Sequence, residues 1–118
     1  MLLRSFQHAL AGAVYILRTQ RNARIELAIG VVAVGLASWL GFTPIEWAVL
    51  ALTITVVVGL EWVNTALELA VTLASPQRHP TAKAAKDVSA AAVLVSAIGA
   101  VAVGLFLFGP RLVALFRP

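Results

Sequence analysis

Glu61-Trp62-Val63-Asn64-Thr65-Ala66-Leu67-Glu68 places two carboxylates and a carboxamide inside the predominantly apolar run from Pro44 to Ala74. A helix turns about 100° per residue, so Glu68 lies within about 20° of the Glu61 face and about 10 Å along the axis. Asn64 and Thr65 flank Glu61 at i+3 and i+4, and Thr72 continues the stripe. Acids aligned on a helix long and apolar enough to span a bilayer are costly to keep there, so they mark function by default.

The rest of the composition agrees with a membrane setting. The chain has 118 residues, 61% of them hydrophobic and 12% charged, with a mean hydropathy of +0.96. A soluble domain carries about 25% charged residues. This is the composition of one integral membrane domain, all-α. Cysteine is absent, which excludes disulfides and thiolate chemistry. The net charge of +4 comes from basic residues that flank apolar spans, so nucleic acid is not the expected partner.

Upstream of the acidic stripe, Phe6, Ala9, Leu10, Ala13, Val14 and Leu17 repeat at helical spacing. They predict an amphipathic surface helix over residues 5–21, lying in the membrane interface. No signal peptide is expected, because no apolar core follows a basic start and no small-residue cleavage site is present. The polar segment Gln20 to Glu26 would join this helix to a first span over 25–42, with no charge from Leu27 to Ile45. Gly41-Phe42-Thr43-Pro44 predicts a turn, with Pro44 opening the second span, 45–73. Ser75 to Pro80 is a loop, Thr81 a candidate helix cap, and 82–109 a third span. Within that span Ala92, Ser96, Ala100 and Gly104 recur every four residues, the small-residue spacing that allows close helix approach. Arg111 to Pro118 reads as a short tail, and Glu46 as an end marker at the edge of the second span.

Arg4, Arg18, Arg21, Arg24, Arg78, Lys83 and Lys86 fall on one side of this arrangement, and Arg111 and Arg117 on the other. The N-terminus and the 75–87 loop are therefore expected on the cytoplasmic side, with the 41–46 turn and the C-terminus facing outward. That puts Glu68 near the cytoplasmic interface, Glu61 about two turns deeper, and Lys86-Asp87 at the same level. Three spans from one chain bury so much polarity poorly, so self-association is expected. Two carboxylates and an amide offer hard oxygen ligands for Mg²⁺, and a nearby lysine suits phosphate. A desolvated carboxylate can take a proton from an alcohol, and phosphoryl transfer needs little more than these parts, well placed. Neither G-x-x-x-x-G-K-[ST] nor G-x-G-x-x-G is present, so no standard phosphate loop exists. His8 and His79 are isolated and make poor zinc candidates; Trp39, Trp47 and Trp62 fit interface anchoring and packing.

Glu61, Asn64, Thr65, Ala66 and Glu68, as E-x-x-N-[ST]-A-x-E, together with Ala85-Lys86-Asp87 to Val93, resemble the small prokaryotic diacylglycerol kinase and undecaprenol kinase family. Phe6, Ala9, Gly12, Asn22 and Arg24 add supporting matches, and the likeness covers nearly the whole chain. It implies a homotrimer in the bacterial inner membrane whose composite sites, at the cytoplasmic face, use ATP and Mg²⁺ to phosphorylate a lipid alcohol. Glu61 would accept the lipid hydroxyl proton, Asn64 support the carboxylates and the alcohol, and Glu68 hold Mg²⁺. Lys86 would contact ATP phosphates with Asp87 beside it, under a loop of Gln77, Arg78 and His79. In the family a glutamate usually ends the surface helix as a second metal ligand; here Gln20 stands there, with Glu26 a possible substitute. An aspartate commonly occupies the place of Thr72. Asn64-Thr65-Ala66 and His79-Pro80 look more like the undecaprenol kinases than the diacylglycerol enzymes. Two other readings stand beside the kinase: a low-activity relative that binds nucleotide or lipid, and a small proton- or cation-conducting oligomer.

Overall fold

The computed structural model describes residues 1–118 and is built entirely from helices: α1 (Leu2–Thr19), α2 (Arg21–Leu40), α3 (Pro44–Ala74) and α4 (Pro80–Leu115). Three of them, α2, α3 and α4, are long and apolar enough to cross a membrane. Only 7 of the 118 residues are buried, while Leu2, Phe6, Val32, Trp39, Leu105 and Phe106 are largely exposed. A chain with so little internal core cannot hide its apolar surface from water, and it is a multi-pass membrane protein.

The predicted polar connector shrinks to one residue. Gln20 alone leaves the helix (φ −112°, ψ 111°), and α2 starts at Arg21 rather than at residue 25. Arg24 is the reason the break can be so short. Its guanidinium donates to the α1 carbonyls of Leu17 (3.0 Å) and Arg18 (3.2 Å), which have no partner within α1. A cation there also opposes the negative end of the helix dipole.

At the opposite end of α2, Gly41 adopts φ 72°, a left-handed conformation that ends the helix and that a side chain would strain. Thr43 then caps α3 in a reciprocal box with Glu46: Glu46 N–H donates to Thr43 Oγ1 (3.3 Å), and Thr43 N–H to Glu46 Oε1 (3.0 Å). Pro44 sits at the first helical turn, as expected.

Glu46 is more than an end marker. Arg111, placed in a tail by its sequence position, belongs to α4, which runs through Pro110 to Leu115. Its guanidinium forks onto Glu46, with Nε donating to Oε2 at 3.0 Å and Nη2 to Oε1, while Nη1 donates to the Leu40 carbonyl at 2.9 Å. It also lies 5.2 Å from the centre of the Phe42 ring, which packs against Trp47 and Phe108. One side chain thus ties the ends of α2, α3 and α4 over the small core of Ala37, Phe42 and Leu50. Continuing the helix past Pro110 is what brings Arg111 within reach.

The loop after α3 differs from expectation in its cap. His79, not Thr81, caps α4: its Nδ1 accepts from the Thr81 N–H at 3.1 Å, with Pro80 at the first turn. α4 packs chiefly on α3, α2 touches α3 more lightly, and α1 touches α2. Ser96, Ala100 and Gly104 of the small-residue stripe are half-buried, whereas Ala92 is exposed.

Arg111→Ala and Glu46→Ala should each lower the melting temperature in detergent micelles. The double variant should lose more than either single one but less than their sum, because both remove the shared ion pair while each also removes contacts of its own. Additive losses, read by circular dichroism, would show that the two residues act separately.

Candidate functional site

The acidic stripe forms as its spacing demands, on a continuous α3. Its members sit in different surroundings. Glu61 and Thr65 are the only buried polar side chains, each 5% exposed, and Thr65 Oγ1 donates back to the Glu61 carbonyl at 3.2 Å. Glu68, two turns nearer the end of α3, is exposed. Neither carboxylate has an ion-pair partner within the chain.

Glu68 lines a cavity of about 720 Å³ with Gln20, Thr65, Thr72 and Lys86. The break between α1 and α2 thereby brings Gln20 to the face of α3, although the two residues are far apart in sequence. Glu26 does not line this cavity. It lines the cavities between α2 and α3 with Gly30 and Ile54 instead, and its Oε2 is buried without a hydrogen-bond partner. As a substitute for an acid at Gln20 it is misplaced, because the chain turns at Gln20 and α2 carries Glu26 away. The cavity holds one carboxylate, and no group of three acids or histidines suited to a metal forms anywhere in the chain.

A second cavity, about 810 Å³, adjoins the first at Thr72 and Lys86. Gln77, Arg78 and His79 of the α3–α4 loop line it, with Lys83 and Asp87 from the first turns of α4. Lys83 Nζ pairs with Asp87 Oδ2 at 2.6 Å, one turn apart and largely exposed. Lys86 Nζ instead donates to Thr72 Oγ1 on α3 at 2.8 Å. Deeper in, the Ser89 hydroxyl of α4 donates to Asn64 Oδ1 of α3. The loop rim is basic and polar, while the floor on α3 is acidic, so the arrangement suits an anionic ligand that also brings a cation.

The structure therefore groups the sequence candidates. Gln20, Glu68 and Lys86 share one cavity, while Gln77, Arg78, His79, Lys86 and Asp87 share the other. Asn64 lies between Glu61 and Glu68 on α3 and is held from α4. Glu61 is buried and lines neither cavity. Sequence reasoning gave no site role to Lys83, and it missed what Ser89 and Arg24 bond. Lys83 was visible as a basic residue one turn from Asp87; the other two act across helices, where sequence spacing is silent.

Comparison with known proteins adds a family. Residues 7–108 match the family described as prokaryotic diacylglycerol kinase. The chain is 50% identical over 115 residues to a diacylglycerol kinase of Synechocystis sp., covering 97% of this chain and 66% of that protein. It is 38% identical over 109 residues to an undecaprenol kinase of Bacillus subtilis, covering 92% of this chain and 89% of that one. A diacylglycerol kinase of Helicobacter pylori is 40% identical over 63 residues, about half of each chain (53% and 49%). With its three membrane-length helices and a match that runs from α1 into α4, the chain belongs to the prokaryotic diacylglycerol kinase family, a family of lipid kinases.

Proposed function

We propose that this protein transfers the γ-phosphoryl group of ATP to the hydroxyl of a membrane lipid alcohol, diacylglycerol or undecaprenol, at the cytoplasmic face of the inner membrane. The observation that carries the reading is the juxtaposition of the α3 stripe with Lys86 of α4 at one end of three membrane-length helices. The names of the relatives support the choice of lipids. In this reading ATP lies along the loop cavity, with its phosphates toward Lys86 and with Gln77, Arg78, His79 and Asp87 around the rest of the nucleotide.

Glu61 takes the proton of the lipid hydroxyl as its oxygen bonds to the γ-phosphorus. The bond to the β-phosphate oxygen breaks, and ADP leaves with the electron pair. Burial of Glu61 keeps it from water and ready to accept a proton from the alcohol. Asn64 supports the carboxylates and the alcohol oxygen. Magnesium fits the cavity that Glu68 and Gln20 share, since it is commonly held by one or two carboxylates together with phosphates and water. When bound, it neutralises phosphate charge during transfer. Glu68, left exposed on a membrane-length helix of the single chain, supports assembly with further copies, and the sites are shared between subunits of a homotrimer.

Glu61→Gln keeps the shape and removes the base. In mixed micelles with labelled ATP, transfer to lipid should fall by about 100-fold or more while helix content and oligomer size are unchanged. Activity near that of the unaltered protein would remove Glu61 from the role.

A lower-activity variant of the same reading is favoured by the single carboxylate around Gln20. Gln20→Glu should lower the Mg²⁺ concentration needed for half-maximal rate by about tenfold, because site charge sets the affinity for a hard cation. An unchanged Mg²⁺ dependence would show that residue 20 is not a metal ligand.

A further inference from the structure

Hydroxyl side chains in the spanning helices mostly satisfy themselves at home. Ser38 donates to the Val34 carbonyl, Thr53 to Val49, Thr55 to Ala51, Thr65 to Glu61 and Ser96 to Val93, each within its own helix. This is the default for a hydroxyl surrounded by apolar groups, because the helix carbonyls are the nearest acceptors. Ser89 and Thr72 depart from it. Ser89 donates across the helix pair to Asn64, and Thr72 accepts across it from Lys86 (2.8 Å). Both bonds cross between α3 and α4, and both end on residues that the proposed function uses.

The two bonds have different chemical effects. A hydroxyl that occupies Asn64 Oδ1 fixes which end of the carboxamide faces α4. The amide NH₂, with two donors, is left for the α3 side, where Glu61 and Glu68 lie three residues before and four after. At Lys86 the partner is neutral. A threonine oxygen orients the ammonium without cancelling its charge, and the nearby carboxylate of Asp87 is taken by Lys83. Lys86 therefore has no carboxylate partner and keeps two further donors for a phosphate.

We propose that Ser89 and Thr72 are positioning residues of the phosphotransfer site, Ser89 setting the orientation of Asn64 and Thr72 aiming Lys86. The inference rests on the kinase reading given above. It predicts that the two contacts affect separate halves of the reaction. Ser89→Ala should lower kcat by about tenfold with the KM for ATP nearly unchanged. Thr72→Val, which removes the acceptor and keeps the shape, should raise the KM for ATP by about tenfold with kcat nearly unchanged. Ser89→Thr and Thr72→Ser, which keep the hydroxyls, should each restore the parameter lost.

Two readouts do not need turnover. The chain has two asparagines, Asn22 and Asn64, so ¹⁵N-asparagine labelling of the full chain in micelles gives two side-chain amide signals. Ser89→Ala should move the Asn64 pair and leave that of Asn22. Thr72→Val should weaken binding of the non-hydrolysable analogue AMP-PNP, measured by calorimetry. An unmoved Asn64 signal, unchanged analogue affinity, or equal changes in kcat and both KM values that the conservative variants fail to rescue would overturn the proposal. Should the unaltered protein transfer no phosphate while the amide shift and the affinity change both occur, the kinase reading fails and the positioning contacts stand.

Discussion

A carboxylate buried on a membrane-length helix is the constraint to which the rest of the structure answers. Glu61 is 5% exposed, within a helix whose other buried residues are Leu50 and Thr65. Hydrocarbon offers such a group nothing, so it persists only where protein or polar ligand surrounds it. The consequences spread outward from it. Asn64, Thr65 and Glu68 keep polar atoms on one face of α3, and α4 brings Lys86 and Ser89 against that face. The remaining faces are apolar and exposed, fit for lipid or for further copies of the chain.

The two ends of the helix bundle are built differently, and the contrast suits their work. At the Glu46 end, Arg111 gathers three helix ends with an ion pair, a carbonyl contact and an aromatic face. That end is fixed in register. At the Glu68 end, α3 and α4 are joined by single side-chain hydrogen bonds around two open cavities. Register set at one end determines which residues meet at the other, while the two cavities there stay open. The abrupt turn at Gln20, stabilised by Arg24, adds the end of α1 to the same region.

Much of this was legible in the sequence because it is written in local spacing. The span limits around Gly41 and Pro44 follow from a left-handed cap and a proline at a first turn, both short-range effects. The acidic stripe follows from helical period alone. What escaped depends on contacts between segments. The third span was set to end at 109, with Arg111 in a short tail, because the partners of Arg111 are remote in sequence; α4 instead continues through Pro110, and Arg111 finds Glu46 and Leu40 there. Glu46 looked like an end marker for the same reason: its partner is far away in the chain. Gln20 to Glu26 looked like a linker by polarity, whereas Arg24 uses its charge to cap α1 and lets α2 begin at once. Thr81 yielded the cap to His79 because an imidazole nitrogen with Pro80 behind it fills the same place. Of the candidate site, the α3 stripe and Lys86-Asp87 of α4 were readable from the sequence; the bonds that join the two helices, Ser89 to Asn64 and Lys86 to Thr72, were not.

The most direct test of the account is to follow phosphorus in one sample. Vesicles holding the purified protein, diacylglycerol and undecaprenol would receive ATP and Mg²⁺ while ³¹P spectra are recorded. The account predicts a lipid phosphate monoester that grows as ATP is converted to ADP, with little inorganic phosphate. Unchanged ATP, or ATP consumed with inorganic phosphate as the product, would contradict it.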